Sequence, residues 1–457
     1  MRASVEQGAG GDNRRRSIQI KQRPATASDD AGSRGAASQG GLRATVRAAS
    51  IGSLAFCMPH PAARPVTFTP PHPPPHVLPV LALAQLAGTS SWFAVNAVMP
   101  DLQRQYGYSD AAVGTLTSAL QLGFIAGTLV FALLALADRF PARRLFLGCA
   151  LAAAACTLAA AASAGSFMAL LVWRALTGFC LAGIYPVGMK LAALWFPRGL
   201  GPALGWLVGA LVLGSASPHA LRALGADLPW QSVFVAVAAA SALAGGMVIW
   251  RVPEPPHPAG LAPLRLSALA SLWRDRRVRA SVFGYFGHML ELYTVWVLVP
   301  LVLATRLHGT VAVSGWAFAV VGAGAAGCVT GGLLARRHGS ARVAGTQLAV
   351  SGLCCLAAPW LLAAPLPVFL AWMLLWGVTV AGDSPQFSAL TAANAPREAV
   401  GSVLTLTNSL GFALSVVSIE IFVRAAAAYP LAAVLPWLAL GPLLGLVALR
   451  PLLRRRA

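Results

Sequence analysis

The sequence predicts an all-α polytopic membrane protein, with twelve transmembrane helices in two pseudo-symmetric six-helix halves. Three observations carry this. The 457 residues are 57% hydrophobic and only 11% charged, against about 25% charged in a soluble domain, which leaves too little polar surface to coat a globule. The apolar residues fall in blocks long enough for a helix to cross a hydrocarbon core about 30 Å thick. One long basic loop divides these blocks into two equal sets. The short alternating runs of a membrane barrel are absent, so helix is the expected spanning element.

Residues 1–75 are rich in Arg, Gly, Ser, Ala and Pro and lead into TPPHPPPH. Without periodicity they are expected to form a disordered tail. RRR at 14–16 lacks the apolar stretch that follows in a twin-arginine signal. LAFC at 54–57 hints at a lipoprotein site, but Phe56 is bulky for it; the composition equally fits a true start near Met58. The blocks then run over 78–99, 112–136, 144–164, 167–189, 200–221 and 230–250, forming an N-terminal half over 76–250. A cytoplasmic interdomain loop is expected at 251–278. The C-terminal half over 279–457 follows, with blocks at 279–304, 312–335, 343–364, 367–392, 399–424 and 428–449.

The formal net charge of +20 sits in the short loops between blocks. With both termini placed in the cytoplasm, the inner loops take most of the cations, while Arg104, Arg222, Arg306 and Arg424 fall outside. Lysine and arginine bias of this kind sets orientation; the expected location is the inner (plasma) membrane. No basic stripe with interleaved aromatics suits nucleic acid. Six of the seven cysteines, all but Cys57, lie in apolar blocks as small core residues. No metal spacing, phosphate loop or nucleophile–base set stands out, so neither an enzyme nor a cofactor is expected.

The turn after helix 2 reads LLALADRFPARR and that after helix 8 reads GGLLARRHGSAR. Related basic turns at equivalent positions are the trace of an internal repeat. Twelve helices, the six-plus-six division and these turns resemble the major facilitator superfamily. That family's loop after helix 2 carries Gly, three residues, Asp-Arg, one residue, Gly, then basic residues. Asp138, Arg139, Arg143 and Arg144 match, while Leu134 and Pro141-Ala142 replace the glycines. The second copy keeps Gly332 and Gly339 but has Arg336, followed by Arg337, where the acid belongs. The resemblance implies gating loops here, not a substrate site. Arg174 and Gly178 match its helix-4 pattern, whose arginine handles substrate or protons. Helix 5 lacks the Gly-Pro pair of drug antiporters, its proline coming late, at Pro218, which argues against drug efflux. GYFGHMLELYTVW and AGDSPQFSALTAANAP resemble the nitrate/nitrite and cyanate permease-like subgroup. Helices 2 and 8 lack the arginines that nitrate porters use, which argues against nitrate.

Polar residues concentrate in helices 1, 4, 7 and 10, which the resemblance places around a central cavity. Helix 1 offers Trp92 and Asn96, helix 4 Arg174, helix 7 Tyr285, His288 and Glu291, and helix 10 Asp383 and Gln386. Intramembrane ionisable groups default to function. His288 and Glu291 are spaced i,i+3 and so share a face within contact reach. They form either a proton-coupling or substrate site or a pair that fixes helix 7. Asp383 precedes Pro385 and either flanks a broken-helix site or caps the segment after a kink. Arg174 either binds an anion or is the counter-ion of Glu291 or Asp383. The expected function is a proton-coupled secondary transporter of a small anion. The alternatives are efflux of a cationic or amphiphilic compound, and a non-transporting receptor of the same fold. The expected partners are a small-molecule substrate, protons and the lipid bilayer, for a monomeric chain.

Overall fold

The computed structural model describes residues 73–196, 200–255, 274–396 and 399–454. The expected tail therefore falls outside the described residues, apart from its last three positions, as does residue stretch 256–273 of the interdomain loop. Among the described residues, twelve helices are long and apolar enough to span a membrane: α1 Val77–Tyr106, α2 Ala112–Leu133, α3 Ala142–Ala162, α4 Phe167–Trp195, α5 Pro202–Leu224 and α6 Gln231–Arg251. They continue as α7 Arg276–Ala304, α8 Thr310–His338, α9 Ser340–Leu361, α10 Leu366–Asn394, α11 Val400–Ala428 and α12 Leu431–Leu453. The apolar blocks fix these spans. Several extend beyond the expected bounds because polar residues at the ends, such as Gln103 and Arg276, are accommodated once the apolar stretch has fixed the helix.

The packing repeats itself. In the first six helices α1 packs on α5 and α6, α2 on α4, and α3 on α4 and α6. In the last six α7 packs on α11 and α12, α8 on α10, and α9 on α10 and α12. Each pair has its counterpart six helices later. The two sets meet through α5 on α8 and α2 on α11, which are also counterparts.

Glycine makes the tightest of these crossings. A Cβ at Gly178 in α4 would overlap the backbone oxygen of Leu120 in α2, and one at Gly123 would overlap that of Ala175. The second copy does the same: Gly327 in α8 faces the Val378 oxygen, and Gly377 in α10 faces that of Val320. Small residues let membrane helices approach to backbone contact, where dispersion replaces the hydrophobic drive that lipid does not supply. Gly178→Leu should therefore force α2 and α4 apart and cost about 3 kcal/mol or more. Gly377→Leu should behave alike. Thermal unfolding of the purified variants checks this; a wild-type midpoint for both would show that the crossings do not depend on contact. In α5, Gly214 abuts the Leu86 oxygen of α1, while Gly205 and Gly209 face the α8 backbone at 3.8 and 3.5 Å.

Three spans are broken. In α1, helix stops at Thr89 and resumes at Ala94. Thr89 and Ser90 turn their hydroxyls onto the Gln85 and Ala87 carbonyls, both at 2.7 Å, which competes with the helical ladder. In α4 the break lies between Leu181 and Tyr185, with Pro186 opening the second piece. In α10 it falls at Asp383, with Pro385 in the following first turn. Breaks inside a membrane leave carbonyls that must be satisfied by protein. The first two satisfy each other. Arg174 of α4 donates to the Ser91 and Trp92 oxygens at 2.8 and 2.6 Å, and Gln85 of α1 donates to the Tyr185 oxygen at 3.0 Å.

Candidate functional site

Where the two sets of helices meet, a small cavity of about 30 Å³ remains, room for a water molecule or two. Its wall mixes polar and apolar surface in nearly equal parts and is rich in aromatic rings: Tyr185, Val208, Leu211 and Val212 from the first set, and Tyr285, Met289, Leu292, Tyr293, Trp296 and Phe412 from the second. Ser384, Ser388 and Asn408 supply the short polar groups, and no charged side chain lines it. Aromatic rings close over the cavity across both sets. Trp92 stacks on Tyr293 at 5.8 Å and meets Phe412 at 5.7 Å; Phe93 stacks on Tyr293 at 6.3 Å; Phe124 meets Phe412 at 4.8 Å. Along the same seam Ser415 of α11 donates to Gln121 of α2 at 2.8 Å. These contacts lie at the middle of α2, while Leu133 and Leu134 beside the Asp138 loop are exposed.

The ionisable residues lie off the cavity, inside the second set. His288 of α7 places Nδ1 2.8 Å from Asp383 Oδ1 of α10, with both side chains 1% exposed. No donor is aligned for a regular hydrogen bond to either Asp383 oxygen, and His288 Nε2 has no partner. The contact is therefore an ion pair only when the imidazole carries a proton. Asp383 stands at the N-cap position of the helix after it, but its side chain makes no capping hydrogen bond. It is nonetheless next in sequence to Ser384, which lines the cavity.

Glu291 corrects the expectation from spacing. It sits one turn from His288, yet its partners come from other helices. Its Oε1 accepts from Ser351 Oγ at 2.6 Å, Trp376 Nε1 at 2.8 Å and Cys355 Sγ at 3.1 Å. The carboxylate thus fastens α7 to α9 and α10, and His288 pairs with Asp383 instead.

Arg174 is not the counter-ion of Glu291 or Asp383. It is 1% exposed, its counterpart is the broken end of α1, and its Nε has no partner. The carbonyls at the C-terminal end of the first α1 segment supply partial negative charge in place of an anion. Asn96 is also engaged within the first set, donating to Thr117 at 3.0 Å. Gln386 is buried but does not line the cavity, so of the eight expected site residues only Tyr285 does. Trp92 belongs to the aromatic layer above it.

Among the expected gating residues, Asp138 pairs with Lys190 at the end of α4. Arg143 pairs with Glu254 at 2.6 Å and donates to the Val252 oxygen after α6. Arg139 and Arg144 are exposed, as are Arg336 and Arg337 in the second copy. Gly332 has open space around it, and Gly339, at φ +82°, makes the turn from α8 to α9. The ion pairs of the first loop, Asp138–Lys190 and Arg143–Glu254, stay within the first six helices and the chain just after them. Ala135 just before it sits at φ 49°, a left-handed conformation that costs a non-glycine residue about 1 kcal/mol.

Sequence reasoning missed Ser351, Cys355 and Trp376. A signal existed in α9, where Gln347, Ser351 and Cys355 recur every four residues and form one polar stripe.

The profile of the Major Facilitator Superfamily matches residues 81–451. The chain belongs to this superfamily. It is thus a transporter by family, and family and fold are those of transporters rather than enzymes. The chain is 33% identical over 270 residues to the chloramphenicol resistance protein of Streptomyces lividans, covering 58% of this chain and 68% of that one. It is 27% identical over 183 residues to the putative uncharacterized transporter YgaY of Escherichia coli, covering 39% and 44%. Among solved structures, a bacterial homolog of the human lysosomal transporter Spinster superposes with a TM-score of 0.65 at 14% identity, covering 84% of this chain and 98% of that one. The human organic anion transporter MFSD10 gives 0.65 at 17% identity, covering 82% and 100%. These two likenesses bear on the fold.

Proposed function

We propose that this superfamily member is a proton-driven antiporter that exports a neutral or amphiphilic, aromatic-bearing organic compound by alternating access. The observation that carries the reading is the division of labour in the site. The cavity wall is aromatic and uncharged, while a buried imidazole–carboxylate pair stands one helix face away. Rings supply large apolar contact area to an organic solute, and a few hydroxyl and amide groups orient it. The pair carries a net negative charge with neutral His288 and none once the imidazole is protonated. A net charge is costly inside a membrane protein, so proton binding biases which conformation is favoured. The α10 break connects the pair to Ala381 and Ser384 in the cavity wall, so the bias reaches the substrate. The relative named for chloramphenicol resistance supports export. The arginine bias supports cytoplasmic termini in the plasma membrane.

A second reading is uptake of a small anion, as the permease-like resemblance implies. It rests on Arg174 Nε, which has no partner, and requires the α1 break to release the guanidinium. Proteoliposomes with an imposed pH gradient decide between the two. Chloramphenicol movement coupled to opposite proton movement supports export. Coupled movement of nitrate, cyanate or a small carboxylate, with none for chloramphenicol, favours the anion.

A further inference from the structure

We propose that a groove on the outer face of the second helix set holds one anionic phospholipid, from the leaflet at the arginine-rich end. The groove has a volume of about 790 Å³ and lies among α7, α11 and α12. It exists because α11 and α12 both pack along α7 but, beyond the start of α12, scarcely on each other. At its floor Gly287 lets the α12 backbone at Gly441 and Gly445 approach α7. Its walls are apolar, with Phe283 and Leu444 at 38% and 61% exposure.

The occupant follows from length and charge. From Arg276 to Leu290 the α7 wall rises about 21 Å, about half of a bilayer that is about 40–45 Å thick with its headgroup regions. That is the depth of one leaflet, so an acyl chain lies along the groove without crossing the midplane. The only charged residues lining it are Arg276, which is exposed, and Arg279, half-buried one turn later. Both stand at the same end. A flat lipid-facing surface needs no particular occupant, but a deep apolar groove ending in two guanidinium groups matches a chain ending in a phosphate. Arginine presents a planar fork to phosphate oxygens, and basic pockets between helices are suited to anionic headgroups.

Native mass spectrometry of the detergent-purified full chain tests this, with phosphatidylglycerol and phosphatidylcholine of identical chains at equal concentration. One phosphatidylglycerol should be retained in preference to phosphatidylcholine. The double variant Arg276→Gln, Arg279→Gln should lower its occupancy about twenty-five-fold, at about fivefold for each basic residue. Arg276→Lys should keep most of it. Ala413→Trp fills the groove without touching the charge and should also lower occupancy; it decides the matter if the arginine variant does not fold. Glycerol 3-phosphate, a headgroup without chains, should not compete. Equal retention of the two lipids overturns the proposal, as does wild-type occupancy in the groove-filled variant. Competition by glycerol 3-phosphate overturns it in favour of a free-phosphate site. A dimer abolished by Ala413→Trp overturns it in favour of a second copy of the chain.

Discussion

Asp383→Asn should abolish proton-driven accumulation while leaving substrate-for-substrate exchange in place. Asparagine has nearly the shape of aspartate and still offers an oxygen to His288, but its charge is fixed at zero. Without the carboxylate charge opposite it, the buried imidazole has no counter-ion to hold a proton, so the gradient no longer switches the charge of the pair. Exchange requires only that the cavity alternate between the two sides. In liposomes, accumulation should fall to the equilibration level, and exchange should stay within about threefold of wild type, under 1 kcal/mol on the barrier. His288→Gln should share the phenotype, because it removes the imidazole that faces the Asp383 carboxylate. Accumulation at the wild-type level in both variants would remove the pair from the coupling step.

Glu291→Ala should be the most destabilising substitution in the second helix set. It leaves the donors of Ser351, Trp376 and Cys355 facing a void. Each unsatisfied buried polar group costs about 1–3 kcal/mol, so a total of about 4 kcal/mol is expected. Glu291→Gln keeps an acceptor oxygen where the donors converge. It should lose much less stability and retain proton-driven accumulation. Thermal unfolding and gradient-driven transport, measured on both variants, separate a fastening role from a coupling one. A stable Glu291→Gln protein that no longer responds to the pH gradient would transfer the proton to Glu291.

The spans were legible in the sequence because the bilayer imposes length and apolarity on each helix independently of its neighbours. So was the repeat, through the turns at Asp138 and Arg336 and the matched arrangement that the packing shows. The choice of partners was not. Spacing shows that His288 and Glu291 share a helix face, but which groups oppose that face depends on three other helices. Asp383 comes from α10, and the donors to Glu291 come from α9 and α10. Arg174 illustrates a second limit. Its counterparts are backbone oxygens, which carry no residue signature, so the arginine reads as though it lacked a partner. The aromatic cavity wall was obscured for a related reason: an apolar ring facing a cavity and one facing a neighbouring helix look alike in a sequence.

The two faces of α7 have a consequence for how such a protein diversifies. Tyr285, Met289, Leu292, Tyr293 and Trp296 point to the cavity, while His288 and Glu291 stand roughly 80° to 150° around the helix from the middle of that face. A mutation at Met289 or Leu292 reshapes what fits in the cavity and leaves the imidazole–carboxylate contact untouched. Selection can therefore reshape the cavity in single steps while the buried contact is inherited intact. Lineages carrying this helix are free to move from one cavity shape to another without passing through an ancestor that has lost the contact.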